Sequence, residues 1–192
     1  MTREQLLAGC LAGFGMNFAE TWAEQVVISQ SLPTLWKLIE EAPQLSLAKS
    51  DLEKLKFRSA YILEAVYFKN PALFVPFLDA FFELFPTVTN GSMRRHFAKI
   101  GCNIIQKGYK PPHIDAIATA CADWIIDPQT KVAVKTWALD MLLELSKTEK
   151  WIKDLFPEIV ASLSTNPSAG MIVRLRKIKT TSCRKAITKL DI

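Results

Sequence analysis

The sequence has few glycine and histidine residues, which serve tight turns and metal sites. Seven of its 192 residues are glycine and two are histidine. No segment alternates apolar and polar residues over the length of a strand, and no Val-, Ile- and Thr-rich run is bounded by Asn-Gly turns. Because 49% of the residues are hydrophobic, the chain can build a large core. We therefore predict an all-α protein that forms a single domain over residues 1–192.

The four cysteines lack the spacing of a metal site. No pair has the C-x-x-C pattern, and no histidine stands near a cysteine at ligand spacing. No run of about 18 uncharged apolar residues is present, so we expect no membrane span. We predict reduced thiols, a cytoplasmic location, no metal site, no cofactor and no membrane partner.

Helix boundaries follow from capping residues and prolines. Asn70-Pro71 and Asp127-Pro128 each combine a capping residue with Pro at the first helical position. Ser50 and Glu53 have capping-box spacing, and Asn90 offers another cap. The predicted helices cover residues 2–14, 17–30, 32–41, 50–68, 70–85, 90–108, 111–126, 127–147 and 149–163, with a last helix from residue 166 and a bend at the proline in the helix over 149–163.

A weak repeat links the middle helices. Tyr61, Phe97 and Trp137 recur at spacings of 36 and 40 residues, each near the start of a helix that pairs with the next. HEAT and armadillo arrays have periods of about 40–47 residues. The helix over 59–68 is apolar almost all round, so neighbours must cover it on several sides. Stacked helix pairs provide that cover, whereas a four-helix bundle fits so many helices poorly.

These segments resemble HEAT-repeat proteins of the superhelical class that includes the DNA-alkylation-repair glycosylases. The resemblance covers about residues 58–180 and rests on the aromatic-containing segments 59–63 and 134–139 and on Asn70-Pro71 followed by Pro76. Short uncharacterised bacterial HEAT-like proteins share the pattern. We predict a HEAT-like α-α superhelix (solenoid) of about four to five helix pairs. Residues 1–49 form irregular helices, 50–165 form three helix-pair repeats, and 166–192 form a basic capping helix and tail.

The positive charge is concentrated at the C-terminal end. Residues 166–192 contain seven basic residues and one acidic residue, whereas residues 1–57 contain five and seven. Arg174, Arg176 and Lys177 alternate with apolar residues there. The segment suits the polar outer face of a capping helix, or a helix that contacts phosphates.

Aligning the repeats suggests a charged row on their first helices. One hypothesis is a basic groove. The alternative is that these charges pair between repeats, for example Glu64 with Arg94 or Arg95, because a carboxylate on an apolar helix needs a partner. The residues of the hypothetical groove are Arg58, Arg94, Arg95, Lys99 and Lys135.

Trp137 and Asp140 share one helical face. They could stack on a base and hold a cation, as the resemblance to the glycosylases implies, with the supporting arginine supplied by Arg94 or Arg95. Trp137 also occupies the aromatic position of the repeat, which favours a core role.

No motif supports catalysis, and we predict no catalytic residue. The sequence favours a non-enzymatic interaction scaffold that binds a protein partner on its curved surface. The alternative is a nucleic-acid-binding protein of the HEAT-like DNA-alkylation-repair class. The predicted binding residues are Arg58, Glu64, Arg94, Arg95, Lys99, Lys135, Trp137, Asp140, Arg174, Arg176 and Lys177.

Overall fold

The predicted all-α class is confirmed by a computed structural model. The model describes residues 1–165 and 167–187, with side chains up to Ile178. The predicted helix start at residue 166 and the basic side chains beyond residue 178 lie outside the described part. Within it there is no strand. The ten described helices are α1 (Arg3–Leu11), α2 (Phe18–Ile28), α3 (Leu32–Glu41), α4 (Lys49–Lys69), α5 (Leu78–Leu84), α6 (Gly91–Gln106), α7 (Ile114–Ile126), α8 (Val132–Leu145), α9 (Lys150–Ser164) and α10 (Ala169–Ile187).

Two predicted caps have opposite outcomes. The Asn90 side chain accepts a hydrogen bond from the Met93 amide at 2.8 Å, so the predicted cap of α6 is confirmed. The predicted capping box at Ser50 is wrong, because α4 already begins at Lys49 and its preceding residue, Ala48, provides no side-chain cap. The described capping box belongs instead to Thr2 and Gln5 at the start of α1.

The helices predicted to begin at Asn70-Pro71 and Asp127-Pro128 begin differently in the structure. Pro71–Phe77 forms a 3₁₀ helix before α5, and Pro76, which lacks a backbone N–H, lies inside it. Asp127 closes a turn, accepting hydrogen bonds from the Gln129 amide and the Thr130 hydroxyl, both at 2.9 Å. Helix α8 therefore begins at residue 132, and the predicted start at residue 127 is wrong.

In the middle of the chain, alternate helices are neighbours: α4 packs on α6, and α6 packs on α8. Helix α4 lies against α1, α2, α3 and α6. Helix α6 packs on α8, which in turn contacts α7, α9 and α10. Side chains on corresponding faces of α4, α6, α8 and α10 can therefore meet across successive helices.

The core is rich in phenylalanine. The rings of Phe81 and Phe97 stack with centroids 4.7 Å apart, and both are fully buried. Of the three aromatic residues that define the sequence repeat, only Phe97 is a core residue, whereas Tyr61 and Trp137 are half-buried. The repeat positions are thus structurally unequal, and two of their rings contribute to the surface.

Candidate interaction surface

Glu64 is a buried carboxylate at the contact between α4 and α6. Glu64 is 6% exposed, so water solvates its charge poorly. Lys99 donates to its Oε1 atom at 2.5 Å, and His96 Nδ1 donates to its Oε2 atom at 2.6 Å. Burial by itself would raise the pKa of Glu64, but these two hydrogen bonds outweigh burial and hold the pKa below its usual value of 4.5. Glu64 is therefore ionised at neutral pH.

His96 is enclosed by aromatic rings. It stacks on Tyr61 with centroids 5.1 Å apart and on Phe57 at 5.8 Å, and it is 1% exposed. Its Nε2 atom has no hydrogen-bond partner. A carboxylate–histidine pair can orient a general base, but the surrounding rings keep a substrate away from this one. His96 was absent from the predicted binding residues, although its position one turn before Lys99 could have indicated a shared face.

Lys99 contacts the carboxylate of Glu64 and also two aromatic side chains. Its ammonium lies 4.8 Å from the Phe68 ring centroid and 5.9 Å from the Trp137 centroid, distances typical of cation–π contacts. Trp137 is half-buried and packs against the core. Trp137 is therefore neither fully in the core, as its repeat position predicts, nor fully on the surface.

Asp140 and Arg174 continue the row from α8 to α10. Arg174 donates from Nε to Asp140 Oδ1 and also forms an ion pair with Oδ2. Its guanidinium lies 5.9 Å from the Trp137 ring centroid. The arginine beside Trp137 and Asp140 thus comes from α10, whereas the sequence comparison of repeats indicated Arg94 or Arg95.

We call Tyr61, Glu64, His96, Lys99, Trp137, Asp140 and Arg174 the charged–aromatic row. It runs across α4, α6, α8 and α10, and cations alternate in it with carboxylates and aromatic rings. Its two carboxylates are both paired with cations. The charges of the row therefore largely neutralise each other.

Three of the five cations in the hypothetical basic groove bind backbone carbonyls instead, namely Arg58, Lys135 and Arg94. Arg58 donates to the carbonyls of Cys10, at 2.8 Å, and Ala12 at the end of α1. Lys135 donates to the Ile125 carbonyl near the end of α7 at 2.8 Å. Such contacts satisfy carbonyls that a helix end leaves unpaired.

The two arginines at the start of α6 differ. Arg94 donates to the Val88 carbonyl at 2.9 Å and lies over the Trp124 ring at 5.2 Å. Arg95 is exposed. Neither forms the alternative pair with Glu64, whose partners are His96 and Lys99. Charges do pair between α4 and α6, but the partners of Glu64 differ from the predicted ones.

The basic C-terminal helix is amphipathic in its described part. Met171, Leu175 and Ile178 are buried at helical spacing. Arg176 and Lys177 are exposed. Arg174 lies between these groups and serves the ion pair with Asp140, so the three predicted basic residues have different environments.

A groove lies above α4, between α2 and α6, and we call it the α4 groove. Its volume is about 310 Å³. Its floor and walls are both apolar and charged. The lining residues are Glu20, Ala23, Tyr61, Glu64, Ala65, Phe68, Lys69 and Lys99.

The described residues contain no group of three His, Cys, Asp or Glu side chains able to hold a metal ion. Cys10, Cys102 and Cys121 are buried and form no disulfide. Burial raises the pKa of Cys10 and that of Cys102 to about 12, which keeps both as neutral thiols. In the described part of the chain, no helix is both long and apolar enough to span a membrane.

Comparisons with known proteins give no assignment. No family model matches the chain, and no curated protein and no solved structure is significantly similar to it. The geometry of the charged–aromatic row and of the α4 groove is therefore the basis for a functional proposal.

Proposed function

We propose that this protein is a non-enzymatic scaffold that binds a protein partner on the side of the molecule formed by α4, α6 and α8. The observation that carries the proposal is the charged–aromatic row, in which each carboxylate is paired with a cation beside an exposed or half-buried ring. Protein interfaces are enriched in aromatic residues and arginine, and their hydrogen-bonded charges set specificity. A surface for nucleic acid needs uncompensated positive charge instead.

The packing of every second helix on the next supports an α-α superhelix as the framework of this surface. In such an array, one row of helices lines an extended face that is a frequent binding site. We place α4, α6, α8 and α10 in that row. The buried thiols support a cytoplasmic location, where cysteines stay reduced.

Replacement of Phe68 by Ser tests the proposal. Phe68 is 43% exposed and contacts Lys99, so the change removes an apolar contact from the surface with little effect on the core. We expect the variant to lose a partner that co-purifies with the wild-type protein from its native cells. Val75→Ser is the matched control, because Val75 is 61% exposed but lies on the 3₁₀ helix before α5. Retention of every partner by the Phe68 variant would contradict the proposal.

The alternative function is nucleic-acid binding, and the exposed Arg95 and Arg176 are the observation in its favour. Its test is the anisotropy of a labelled duplex of about 25 base pairs across a salt series. Binding that weakens steeply with salt, and that Arg95→Gln with Arg176→Gln reduces, would support this alternative. Absence of binding at low salt would exclude it.

A further inference from the structure

We propose that the α4 groove binds one amphipathic helix of the partner protein, with a basic flank of that helix against α2 and an acidic flank against α6. This inference rests on the proposed function and specifies the chemistry of the partner. It follows from the spacing of the side chains on the floor and from the charges of the two walls.

The floor of the groove is a stripe along one face of α4. Tyr61, Ala65 and Phe68 line the groove, and Phe57 continues their stripe one turn earlier, where Phe14 packs on its ring at 5.7 Å. The four residues follow each other at steps of four, four and three, which places them on one side of a helix. Their span corresponds to about 16 Å along the helix axis. None of these side chains is buried, and Phe68 is exposed. Three turns of an apolar stripe are what a second helix needs for anchors at matching spacing.

The two walls carry charges of opposite sign. Helix α2 contributes Glu20 to the lining and contains no basic residue, whereas α6 contributes Lys99 and contains no acidic residue. Arg95 stands four residues before Lys99, on the same side of α6. A partner helix that lies between these walls gains from basic residues on one flank and acidic residues on the other.

A partner helix can most easily contact the charged side chains that form no ion pair within the chain. Glu24 pairs with Lys69 at 3.4 Å, and Lys99 pairs with Glu64. Glu20 and Arg95 are exposed, and neither forms an ion pair with another residue in the described part of the chain. They are therefore the residues on the two walls that a partner can engage without breaking an internal contact.

A helix fits this groove better than a β-strand peptide or a nucleic acid. A peptide that adds as a β-strand needs the free backbone groups of a sheet edge, and the described residues provide no strand. Phosphates would be repelled by Glu20 on the α2 wall.

The test uses three labelled helical peptides of about 18 residues with the same leucine stripe. One has lysines on one flank and glutamates on the other, one has lysines on both flanks, and one has glutamates on both. We expect the wild-type protein to bind the mixed peptide about threefold or more tightly than the other two, as judged by anisotropy at low salt.

Charge reversal of each wall should change the preferred peptide. Glu20→Lys leaves an exposed basic residue on each side of the groove, so this variant should prefer the peptide with glutamates on both flanks. Arg95→Glu leaves an exposed acidic residue on each side, so that variant should prefer the lysine peptide. Glu83→Lys, an exposed charge reversal on α5, is the control and should keep the wild-type order. Circular dichroism of each variant checks that the helical fold is retained.

Equal affinity for the three peptides, or an order that the reversals leave unchanged, would overturn the inference. If no peptide binds but Phe68→Ser still removes a natural partner, the groove does not take a helix and the scaffold function stands. If neither result is obtained, both proposals fail.

Discussion

Asp140 on α8 and Arg174 on α10 form an ion pair that attaches the C-terminal helix to the rest of the chain. Asp140 is 3% exposed, and the guanidinium of Arg174 also lies over Trp137. The same pair thus joins two helices and holds a positive charge beside the ring of Trp137. A binding surface that crosses helices needs such contacts, because otherwise its residues would not stay in register.

Replacement of Arg174 by Met should destabilise the protein by about 3 kcal/mol, because it leaves Asp140 charged and buried without its partner. The variant Asp140→Asn in the same background should recover part of this loss. Urea unfolding of the wild type, both single variants and the double variant gives the interaction free energy between the two side chains. Strictly additive effects would contradict a functional ion pair.

The change Glu64→Gln should lower the free energy of unfolding by about 1–3 kcal/mol. Glutamine keeps the shape of the side chain but loses the charge that His96 and Lys99 stabilise. Glu83→Gln is the matched control on an exposed part of α5 and should change the free energy by less than about 0.5 kcal/mol. Similar effects of the two substitutions would show that the buried cluster adds no stability.

The contribution of Glu64 should also depend on pH. Since the folded-state pKa lies below the usual 4.5, its stabilisation is fully present above about pH 4.5 and is lost as the pH falls through the folded-state value. The difference in unfolding free energy between wild type and Glu64→Gln should therefore shrink as the pH falls below about 4.5. A difference that grows below that pH would contradict the lowered pKa.

Gly9→Ala should destabilise the protein, although alanine favours helix over glycine by about 1 kcal/mol. A Cβ atom at Gly9 would lie 2.1 Å from the ring of Trp22, which must then move. We expect a loss of about 1–3 kcal/mol from this overpacking. Gly91→Ala, which meets no atom within 4 Å, is the control and should be neutral or slightly stabilising in thermal unfolding.

The helices were predictable because their signals are local. Apolar spacing and prolines placed most helices to within a few residues, and Asn90 caps α6 as expected. Errors arose where a capping residue serves another purpose, as Asp127 does in its turn. The sequence does not tell a helix cap from a turn before the following backbone is known.

The members of the surface row were less predictable than the helices. Glu64, Lys99, Trp137 and Asp140 were identified from repeat alignment. That alignment could not reveal that Arg174 reaches Asp140, because the partners are 34 residues apart and α10, which carries Arg174, lacks the repeat signature. Nor could it show that Arg58 binds the end of α1, a contact that depends on the irregular N-terminal helices.

The most direct test of the scaffold function is site-specific photo-crosslinking in native cells. A benzophenone amino acid would replace Phe68 in the α4 groove, and Val75 in a matched control. We expect a discrete adduct from position 68 that is sensitive to protease and resistant to nuclease, and no such adduct from position 75. A nuclease-sensitive adduct, or equal crosslinking from both positions, would contradict a protein-binding surface at this site.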